Sequence, residues 1–554
     1  MQRTEALRTA GWSVLGVALA GAIAFGPLRG IPHVQDEVVY GWQAEQIARG
    51  ALFAPVPEPR ASRVYDFLLD TPRGRVGIFP LGWPLVLAFG SMVGAAAWVN
   101  PLLHGLSVVL GTTIARRRGG GSAALLAAPL LALSPQMLLL GASRMSHALA
   151  ALLVLAAFGL ALDPDTAGSA RRAALLGGAR GAAALVRPLD ALLAAIVLVP
   201  LGLLGGGRSR RAALAAGAAL LAGAGAVALQ NLATTGEAAT FAQTRYFETA
   251  PPPVPGEGWR FAPGCNDLGF GPEKGCFATW GSFGHTPEKA WRFARRNAEL
   301  AADLWLGAPW ALLLLVPALL DRGGGRRAAL AALALLLVLI GGYALYWYGG
   351  SCYGARFWHS ALPPLLVGVA IGAAALLGRL RRTPILGLLL LVPMVWTLAR
   401  TLPELSDYWG VDDRFARLEA GWEREPALVL VAYRSELRLV HHPRTAGESL
   451  LVAPHRWRAA WWPQGSERVV FAEHQPELVD ATVAAHPGRE VWIFEMAADP
   501  REDRLRPLEP GDRAPRQRAD LELPAPLPLR PAPRVTGELW SGSFRVVEVP
   551  SGSD

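Results

Sequence analysis

The sequence predicts a polytopic α-helical membrane protein. Three observations support this prediction: 52% of the 554 residues are apolar, only 18% are charged, and the apolar residues form long blocks. A helix needs about 20 residues to cross the hydrocarbon core of a bilayer, which is about the length of these blocks. Because lipid cannot hydrogen-bond a bare backbone, such blocks form helices.

About eleven blocks have the length and composition of transmembrane helices. They lie at 11–29, 99–115, 122–141, 145–162, 173–187, 189–206, 212–230, 301–320, 328–348, 357–378 and 384–402. A further apolar stretch, 81–98, would make a twelfth span. It begins with Gly82 and Pro84, which do not favour an uninterrupted helix.

Arginine clusters decide how 81–98 is placed. With this stretch left out, all later clusters share the side of Arg3 and Arg8, which the positive-inside rule makes cytoplasmic. These clusters lie at 116–118, 171–172, 208–211, 322–327 and 379–382. A full span at 81–98 would move them outside, so we predict a juxtamembrane or re-entrant segment on the outer side.

This topology gives a membrane domain over 1–403 with two long outer loops, 30–80 and 231–300. The tail, 404–554, is then an extracytoplasmic domain. Its short apolar runs and a helical pattern at 476–485 favour a small α/β fold. The runs lie at 428–432, 469–472, 491–494 and 544–549. Residues 507–534 are rich in proline, which indicates irregular structure.

The formal net charge of +9 does not indicate a nucleic-acid partner. The arginines form short clusters between apolar blocks instead of a basic stripe with interleaved aromatic residues. Lysine occurs only at positions 274 and 289, a composition typical of a GC-rich bacterial genome. We therefore expect a multi-pass protein of a bacterial inner (plasma) membrane.

Two adjacent carboxylates, Asp36 and Glu37, follow the first predicted span directly. This position holds both acidic groups at the outer membrane surface. A solvated acidic loop that merely ends a helix is the simplest interpretation of such a pair. The residues around it favour a functional one.

Several stretches of the chain together resemble the GT-C glycosyltransferases. The first loop runs from Asp36-Glu37 through Ala44 and Ala48-Arg49-Gly50 to Phe79–Leu85. Further landmarks are Asn231–Glu237, Gly269-Phe270-Gly271, Gly284–Pro287 and Tyr353–Phe357. The combination is similar to the protein O-mannosyltransferase and lipid A aminoarabinose transferase type, including the bacterial branch with an RgtA/B/C/D-like domain. The resemblance covers about residues 10–400 and leaves the tail unassigned.

The resemblance implies inverting transfer of a sugar from a polyprenyl-phosphate donor to a glycan, lipid or protein acceptor outside the cytoplasm. A leaving phosphate has a second pKa of about 6 and departs without a general acid, so one catalytic carboxylate is enough. We predict that Asp36 is the general base. Glu37 is then a supporting carboxylate or a ligand of a divalent metal.

Three arginines are candidates for the donor phosphate. Arg187 at an outer turn and Arg356 in the Tyr353–Phe357 stretch could bind phosphate oxygens in a bidentate manner. Topology signals or contacts with lipid headgroups are the alternative for both. Arg180 lies inside an apolar block two helical turns before Arg187, where it either lines the lipid-phosphate cavity or snorkels to the cytoplasmic interface.

Other candidates are acceptor contacts or supporting residues: Arg144, His147, His285 and Tyr353. His147 occupies a turn where several relatives carry an acidic residue, so a metal site shared with them is in doubt. It could be a metal ligand, a proton relay, an acceptor contact or a plain helix-capping residue. Cys265 and Cys276 share the long outer loop and could form a disulfide in an oxidising compartment.

Two other classes of function fit part of the sequence. A polyprenyl-lipid or solute transporter would use Arg180 and Arg187 to line its path, but it predicts inverted repeats, which the sequence lacks. An inactive GT-C scaffold that anchors a binding domain is the second alternative. The presence of Asp36 beside basic residues argues against it.

Overall fold

The computed structural model describes residues 2–59, 67–203, 209–249, 264–276, 284–321, 323–380, 383–405, 408, 413–433, 468–497 and 500–513. Up to residue 405 the described chain is mostly helical, and a four-stranded sheet follows in the tail. The predicted polytopic helical fold with a C-terminal sheet region is therefore confirmed. The predicted run 544–549 and most of the proline-rich segment lie outside the described residues.

The helices of the first part follow one another closely along the chain. In order they are α1 (Gln2–Phe25), α2 (Gln35–Ala48), α3 (Gly82–Met92), α4 (Val99–Leu133), α5 (Pro135–Ala142), α6 (His147–Leu162), α7 (Ala170–Val186), α8 (Pro188–Leu203), α9 (Arg210–Thr235), α10 (Ala242–Thr249), α11 (Pro287–Leu304), α12 (Leu315–Leu319), α13 (Gly324–Ala344), α14 (Leu362–Leu380) and α15 (Thr383–Thr401).

Six helices in the described ranges are long and apolar enough to cross a membrane, so this is a multi-pass membrane protein. They are Arg3–Phe25, Ala96–Leu133, Arg210–Thr235, Gly324–Ala344, Arg356–Leu377 and Leu386–Leu405. A seventh is added if Pro287–Leu304 and Pro309–Leu319, which meet at 86°, form one bent span. The predicted count of about eleven is not reached, partly because α6 and α8 have only 16 residues each.

Two local features explain differences between predicted and observed spans. Helix α3 has 11 residues and rises about 16 Å, roughly half the thickness of the hydrocarbon core. Helix α4 covers two predicted spans, which meet at a break where Gly120 takes a φ of 80°. A positive φ is readily available to glycine, so the chain bends there, just after the predicted arginine cluster 116–118.

Small residues bring α7 and α9 into close contact. A Cβ atom added at Gly223 would lie 2.2 Å from the Cα of Gly181, so only glycine fits at this crossing. Close approach at small residues is a common way to pack helices in lipid. The crossing fixes the part of α7 that carries Arg180, the residue next to Gly181.

The two long loops predicted to lie outside form a small layer against the ends of the helices. Strands β1 (Leu68–Thr71) and β2 (Gly74–Gly77) form an antiparallel hairpin. A disulfide joins Cys265 to Cys276. Both cysteines are buried in an apolar cluster that also contains Val76, Phe247 and Trp347, so the disulfide loop packs against the hairpin and α10.

The described part of the tail contains a mixed sheet of four strands. They are β3 (Ala427–Tyr433), β4 (Val469–Glu473), β5 (Glu490–Met496) and β6 (Arg504–Pro507). The order is β4-β3-β5-β6, with β3 parallel to both neighbours and β6 antiparallel to β5. Three of the predicted apolar runs are therefore the three parallel strands.

One helix covers each face of this sheet. Phe415 of α16 (Arg414–Ala420) packs with Val429 and Phe471, whereas Val479 of α17 (Val479–Ala484) packs with Leu428 and Ile493. The parallel strands β3 and β4 are buried on both faces, which explains their continuous apolar runs. The helical pattern predicted at 476–485 contains α17.

Candidate active site

Asp36 lies in the first turn of α2, where the helix dipole favours a negative charge. Its Oδ2 is 3.3 Å from Nη1 of Arg356. The Asp36 side chain remains 20% exposed, whereas that of Arg356 is 4% exposed. A buried guanidinium thus orients a carboxylate that can still be reached from outside the protein.

The neighbouring carboxylate, Glu37, is 1% exposed and accepts four hydrogen bonds. The backbone N–H groups of His33 and Val34 donate to its Oε2 at 2.8 and 3.2 Å. The Tyr353 hydroxyl donates to the same oxygen at 2.9 Å, and the Arg144 backbone N–H donates to Oε1 at 2.6 Å. Glu37 therefore joins three separate segments of the chain.

These contacts show what Arg144 and Tyr353 do in the fold. The Trp83 indole N–H donates to the Arg144 carbonyl at 2.8 Å, which ties the α5–α6 turn to α3. Burial, with the charge of Glu37 beside it, raises the pKa of Tyr353, so its hydroxyl stays protonated and can donate. Both residues hold Glu37 and the loop before α2 in place.

A second arginine reaches the region from the turn between α7 and α8. The guanidinium carbons of Arg187 and Arg356 lie 5.4 and 5.3 Å from the centroid of the same aromatic ring, that of Phe357. Cations are attracted to such a ring, so Phe357 keeps two like charges close together. The structure thus brings Asp36, Arg187 and Arg356 into one centre.

Sequence reasoning missed the residue that holds Arg187. Asp190, three residues later in α8, is 1% exposed, and its Oδ1 accepts from Arg187 Nε at 3.1 Å. The hydroxyls of Tyr343 and Ser360 also donate to Asp190, and Arg187 Nη2 donates to the Tyr343 hydroxyl at 2.9 Å. A carboxylate inside an apolar block was the signal that could have revealed it.

Arg180 is buried behind this network. It is 1% exposed, which excludes snorkelling to the interface. Its Nη2 donates to the Asp190 backbone carbonyl at 3.4 Å, and its Nε and Nη1 have no hydrogen-bond partner within the described chain. We call Arg180, Arg187 and Arg356 the arginine cluster.

His147 begins α6 at the edge of the arginine cluster. Its ring lies nearly parallel to that of Phe357, with 6.4 Å between centroids. The side chain is 1% exposed, and neither ring nitrogen has a hydrogen-bond partner among the described residues. Buried polar atoms usually have partners, so these two nitrogens are available to a ligand.

Tyr40 adds a hydroxyl on the Asp36 face of α2, because residues four apart lie on one side of a helix. Its hydroxyl is 3.2 Å from Ser146 Oγ, and its ring packs on Phe79 with centroids 4.8 Å apart. Burial, with Asp36 nearby, raises the pKa of Tyr40, which keeps the phenol protonated. The sequence prediction did not include this residue.

His285 lies in a different set of contacts. Its Nε2 donates to the Ala344 carbonyl at 2.9 Å, and its ring packs between Phe270 and Phe293. Its backbone also pairs with Gly271. These contacts hold the long outer loop against α13 and give His285 no link to Asp36 or Arg356.

The described residues contain no group of three or more His, Cys, Asp or Glu side chains that could hold a metal ion. Glu37 and His147, the predicted candidates, belong to different clusters. The four donors around Glu37 already use both of its oxygens. This carboxylate therefore fits a supporting role better than metal coordination.

Fold and site together define a multi-pass membrane protein with a carboxylate and an arginine cluster in one centre. The crystal structure of ArnT from Cupriavidus metallidurans bound to undecaprenyl phosphate is similar, with a TM-score of 0.50 and 15% identity, over 88% of this chain and 93% of that one. The apo structure of the same protein matches with a TM-score of 0.48 and 14% identity, over the same shares of both chains. The structure of the archaeal oligosaccharyltransferase AglB from Archaeoglobus fulgidus, in complex with an inhibitory peptide and a dolichol-phosphate, matches with a TM-score of 0.40 and 13% identity. This match covers 80% of this chain and 64% of that one.

The chain therefore shares its fold with this ArnT structure over most of its length, which agrees with the resemblance noted in the sequence. No protein-family model matches the sequence. No curated protein matches it either.

Proposed function

We propose that this protein is an inverting glycosyltransferase that moves a sugar from a polyprenyl-phosphate donor to a hydroxyl acceptor outside the cytoplasm. The single observation that carries the proposal is the pairing of Asp36 with Arg356 beside Arg187. This arrangement supplies one reachable carboxylate and two guanidinium groups, one buried and one 13% exposed, that share an aromatic ring. The likeness in fold to ArnT supports the same class of reaction.

Asp36 acts as the general base. The acceptor oxygen attacks the anomeric carbon of the sugar while Asp36 takes the hydroxyl proton, and the bond from that carbon to the phosphate oxygen breaks. Attack and departure occur on opposite faces in this single displacement, so the anomeric configuration inverts. The products are the glycosylated acceptor and the polyprenyl phosphate.

The arginine cluster stabilises the leaving phosphate. Charge develops on the phosphate oxygens as the sugar bond breaks, and guanidinium groups fixed in advance stabilise that charge without reorganising. Arginine also suits phosphate because its planar fork can donate two parallel hydrogen bonds. Arg356 pairs with Asp36, Arg187 shares the Phe357 ring with Arg356, and Arg180 contacts the backbone of Asp190.

His147 lies on the acceptor side in this proposal. Its two unpartnered nitrogens could accept or donate a hydrogen bond to the incoming hydroxyl. The positive-inside rule puts this whole face on the extracytoplasmic side, with the N-terminus cytoplasmic and the tail domain outside. Such a protein would function in a bacterial inner membrane, where polyprenyl-phosphate sugars are delivered to the outer leaflet.

The test is a transfer assay with purified protein in proteoliposomes and a panel of radiolabelled polyprenyl-phosphate sugars. Wild type should release labelled sugar to an added cell-envelope acceptor fraction. Asp36→Asn should lower the turnover by about 10³-fold, the size typical of losing a general base. Asp267→Asn is the matched control, because Asp267 is an exposed outer-loop carboxylate that pairs with Lys274.

Two results would overturn the proposal. Equal turnover by wild type and Asp36→Asn would show that Asp36 is not the general base. Movement of intact donor across the bilayer, without sugar release, would favour the transporter. Loss of turnover in Asp267→Asn as well would show that the assay responds to general damage to the outer loops.

A further inference from the structure

Asp190 is a buried carboxylate in direct contact with the arginine cluster, yet the proposed reaction does not use it. It accepts from Arg187, Tyr343 and Ser360, which come from the α7–α8 turn, α13 and the short 3-10 helix Arg356–Ala361. All three contacts are donations, which is the pattern that an ionised carboxylate satisfies. Asp190 therefore places a negative charge directly behind the phosphate-binding arginines.

The charges around the centre almost cancel. Arginine is always protonated in proteins, so the three arginines of the cluster carry three positive charges. Asp36 and Asp190, the two carboxylates that contact the cluster, contribute up to two negative charges. Arg144 belongs to the neighbouring network, where it faces Glu37 and Glu45. With the cluster and its two carboxylates ionised, the phosphate site has one formal positive charge.

A single positive charge balances the charge of the phosphodiester donor better than that of the phosphate monoester product. A sugar linked through a phosphodiester carries one negative charge, whereas the free phosphate monoester left after transfer carries about 1.5 to 2 at neutral pH. In a poorly solvated site, a difference of one charge at about 5 Å changes affinity by an order of magnitude or more. A site of one positive charge therefore favours the donor relative to the product.

We infer that Asp190 is a positioning residue that sets both the orientation of Arg187 and the charge of the phosphate site, so that the spent polyprenyl phosphate is released. This inference rests on the proposed function. Without the carboxylate, the site would carry two positive charges and match the product dianion. Arg187 would also lose the ring of hydrogen bonds that it forms with Tyr343 and Asp190.

The decisive variant is Asp190→Asn, which keeps the size of the side chain and removes its charge. We expect the ratio of donor KM to product Ki, measured with polyprenyl phosphate as the inhibitor, to rise about tenfold. The inhibition should strengthen further as pH rises through about 6, where the second proton leaves the phosphate. Wild type should show a weaker pH dependence of product Ki.

Two matched variants separate charge from geometry. Ser360→Ala removes one hydrogen bond to Asp190 without changing any charge, and Asp190→Glu moves the carboxylate while keeping its charge. Both should lower turnover and leave the ratio of KM to Ki near its wild-type value. A purely structural role would instead make all three variants behave alike.

Charge compensation keeps the inference testable if Asp190→Asn does not fold. Arg180→Gln alone lowers the site charge by one and should weaken product inhibition about tenfold. Combined with Asp190→Asn, it should return the ratio of KM to Ki to the wild-type value. An unchanged ratio in folded Asp190→Asn, or in Arg180→Gln, overturns the inference, whereas wild type that transfers no sugar overturns the proposed function instead.

Discussion

The two adjacent carboxylates at the start of α2 have opposite surroundings. Glu37 is sealed from solvent and accepts from four donors, whereas Asp36 has one guanidinium contact and keeps a fifth of its side chain exposed. A substrate cannot reach a fully buried carboxylate whose two oxygens both accept hydrogen bonds from the protein, whereas it can reach a partly exposed one. The difference indicates that Glu37 builds the site and that Asp36 reacts in it.

The largest expected effect is on folding. Glu37→Gln should lower the free energy of unfolding by about 3 kcal/mol, because a buried charged acceptor of four hydrogen bonds is lost. Asp36→Asn, the matched change one residue earlier, should lower it by less than about 1 kcal/mol, because its single ion pair is partly exposed. Denaturant titration in detergent micelles measures both. Equal losses in the two variants would contradict the division of roles.

A smaller effect is expected when Arg356, which faces Asp36, is replaced by lysine, which keeps the positive charge but lacks the planar guanidinium. Arg356→Lys should reduce turnover about 50-fold, or roughly 2 kcal/mol, because an ammonium cannot form the planar fork. Arg400→Lys is the control, since Arg400 is a half-exposed arginine whose Nη2 alone donates to both carboxylate oxygens of Asp303. Full activity of Arg356→Lys would show that a point charge is sufficient.

The third prediction compares two buried histidines. His147→Ala should raise the acceptor KM about tenfold, which is about 1.4 kcal/mol, and leave the affinity for polyprenyl phosphate unchanged. His285→Ala should leave the acceptor KM as in wild type, because its contacts are with Ala344 and two phenyl rings. Steady-state kinetics at varied acceptor concentration distinguish them. The same acceptor KM in His147→Ala and wild type would show that His147 does not contact the acceptor.

The smallest effect is a pH dependence of the long outer loop. Burial lowers the pKa of His285 below its usual 6.5, so the folded loop holds the neutral imidazole. The unfolded loop binds the proton more readily, and the stability present above pH 6.5 is therefore lost as pH falls below it. The protection factors of the amide protons of residues 284–286, which correct for the pH dependence of intrinsic exchange, should fall between pH 7 and 5. In His285→Gln this change should disappear, and its persistence would assign it to another group.

Much of the fold was predictable because apolar blocks and strands have characteristic lengths. The runs at 428–432, 469–472 and 491–494 lie within β3, β4 and β5. The number of spans was not predictable, because α6 and α8 are shorter than a full crossing and α4 joins two predicted spans at Gly120. Length and composition alone do not determine where short helices end inside a bundle.

The site was predictable only in part. The pairing of Asp36 with Arg356 joins residues 320 positions apart, and the resemblance to a family placed both in one site before the structure did. Tyr343 was missed because it is an ordinary residue of an apolar block in the sequence, and Phe357 was noted only as part of a landmark stretch. Asp190 was missed although a carboxylate inside an apolar block indicates a functional residue. Their role comes from contacts between distant elements, which local patterns do not encode.

We propose that Asp36 reacts while the arginine cluster holds the phosphate. The most direct test measures the binding of undecaprenyl phosphate to Asp36→Asn and Arg356→Gln in parallel with turnover. We expect Asp36→Asn to bind the lipid about as tightly as wild type while its turnover falls about 10³-fold. Arg356→Gln should lose both. If Asp36→Asn lost lipid binding in proportion to turnover, Asp36 would belong to the phosphate site, and the proposed division between base and phosphate clamp would be wrong.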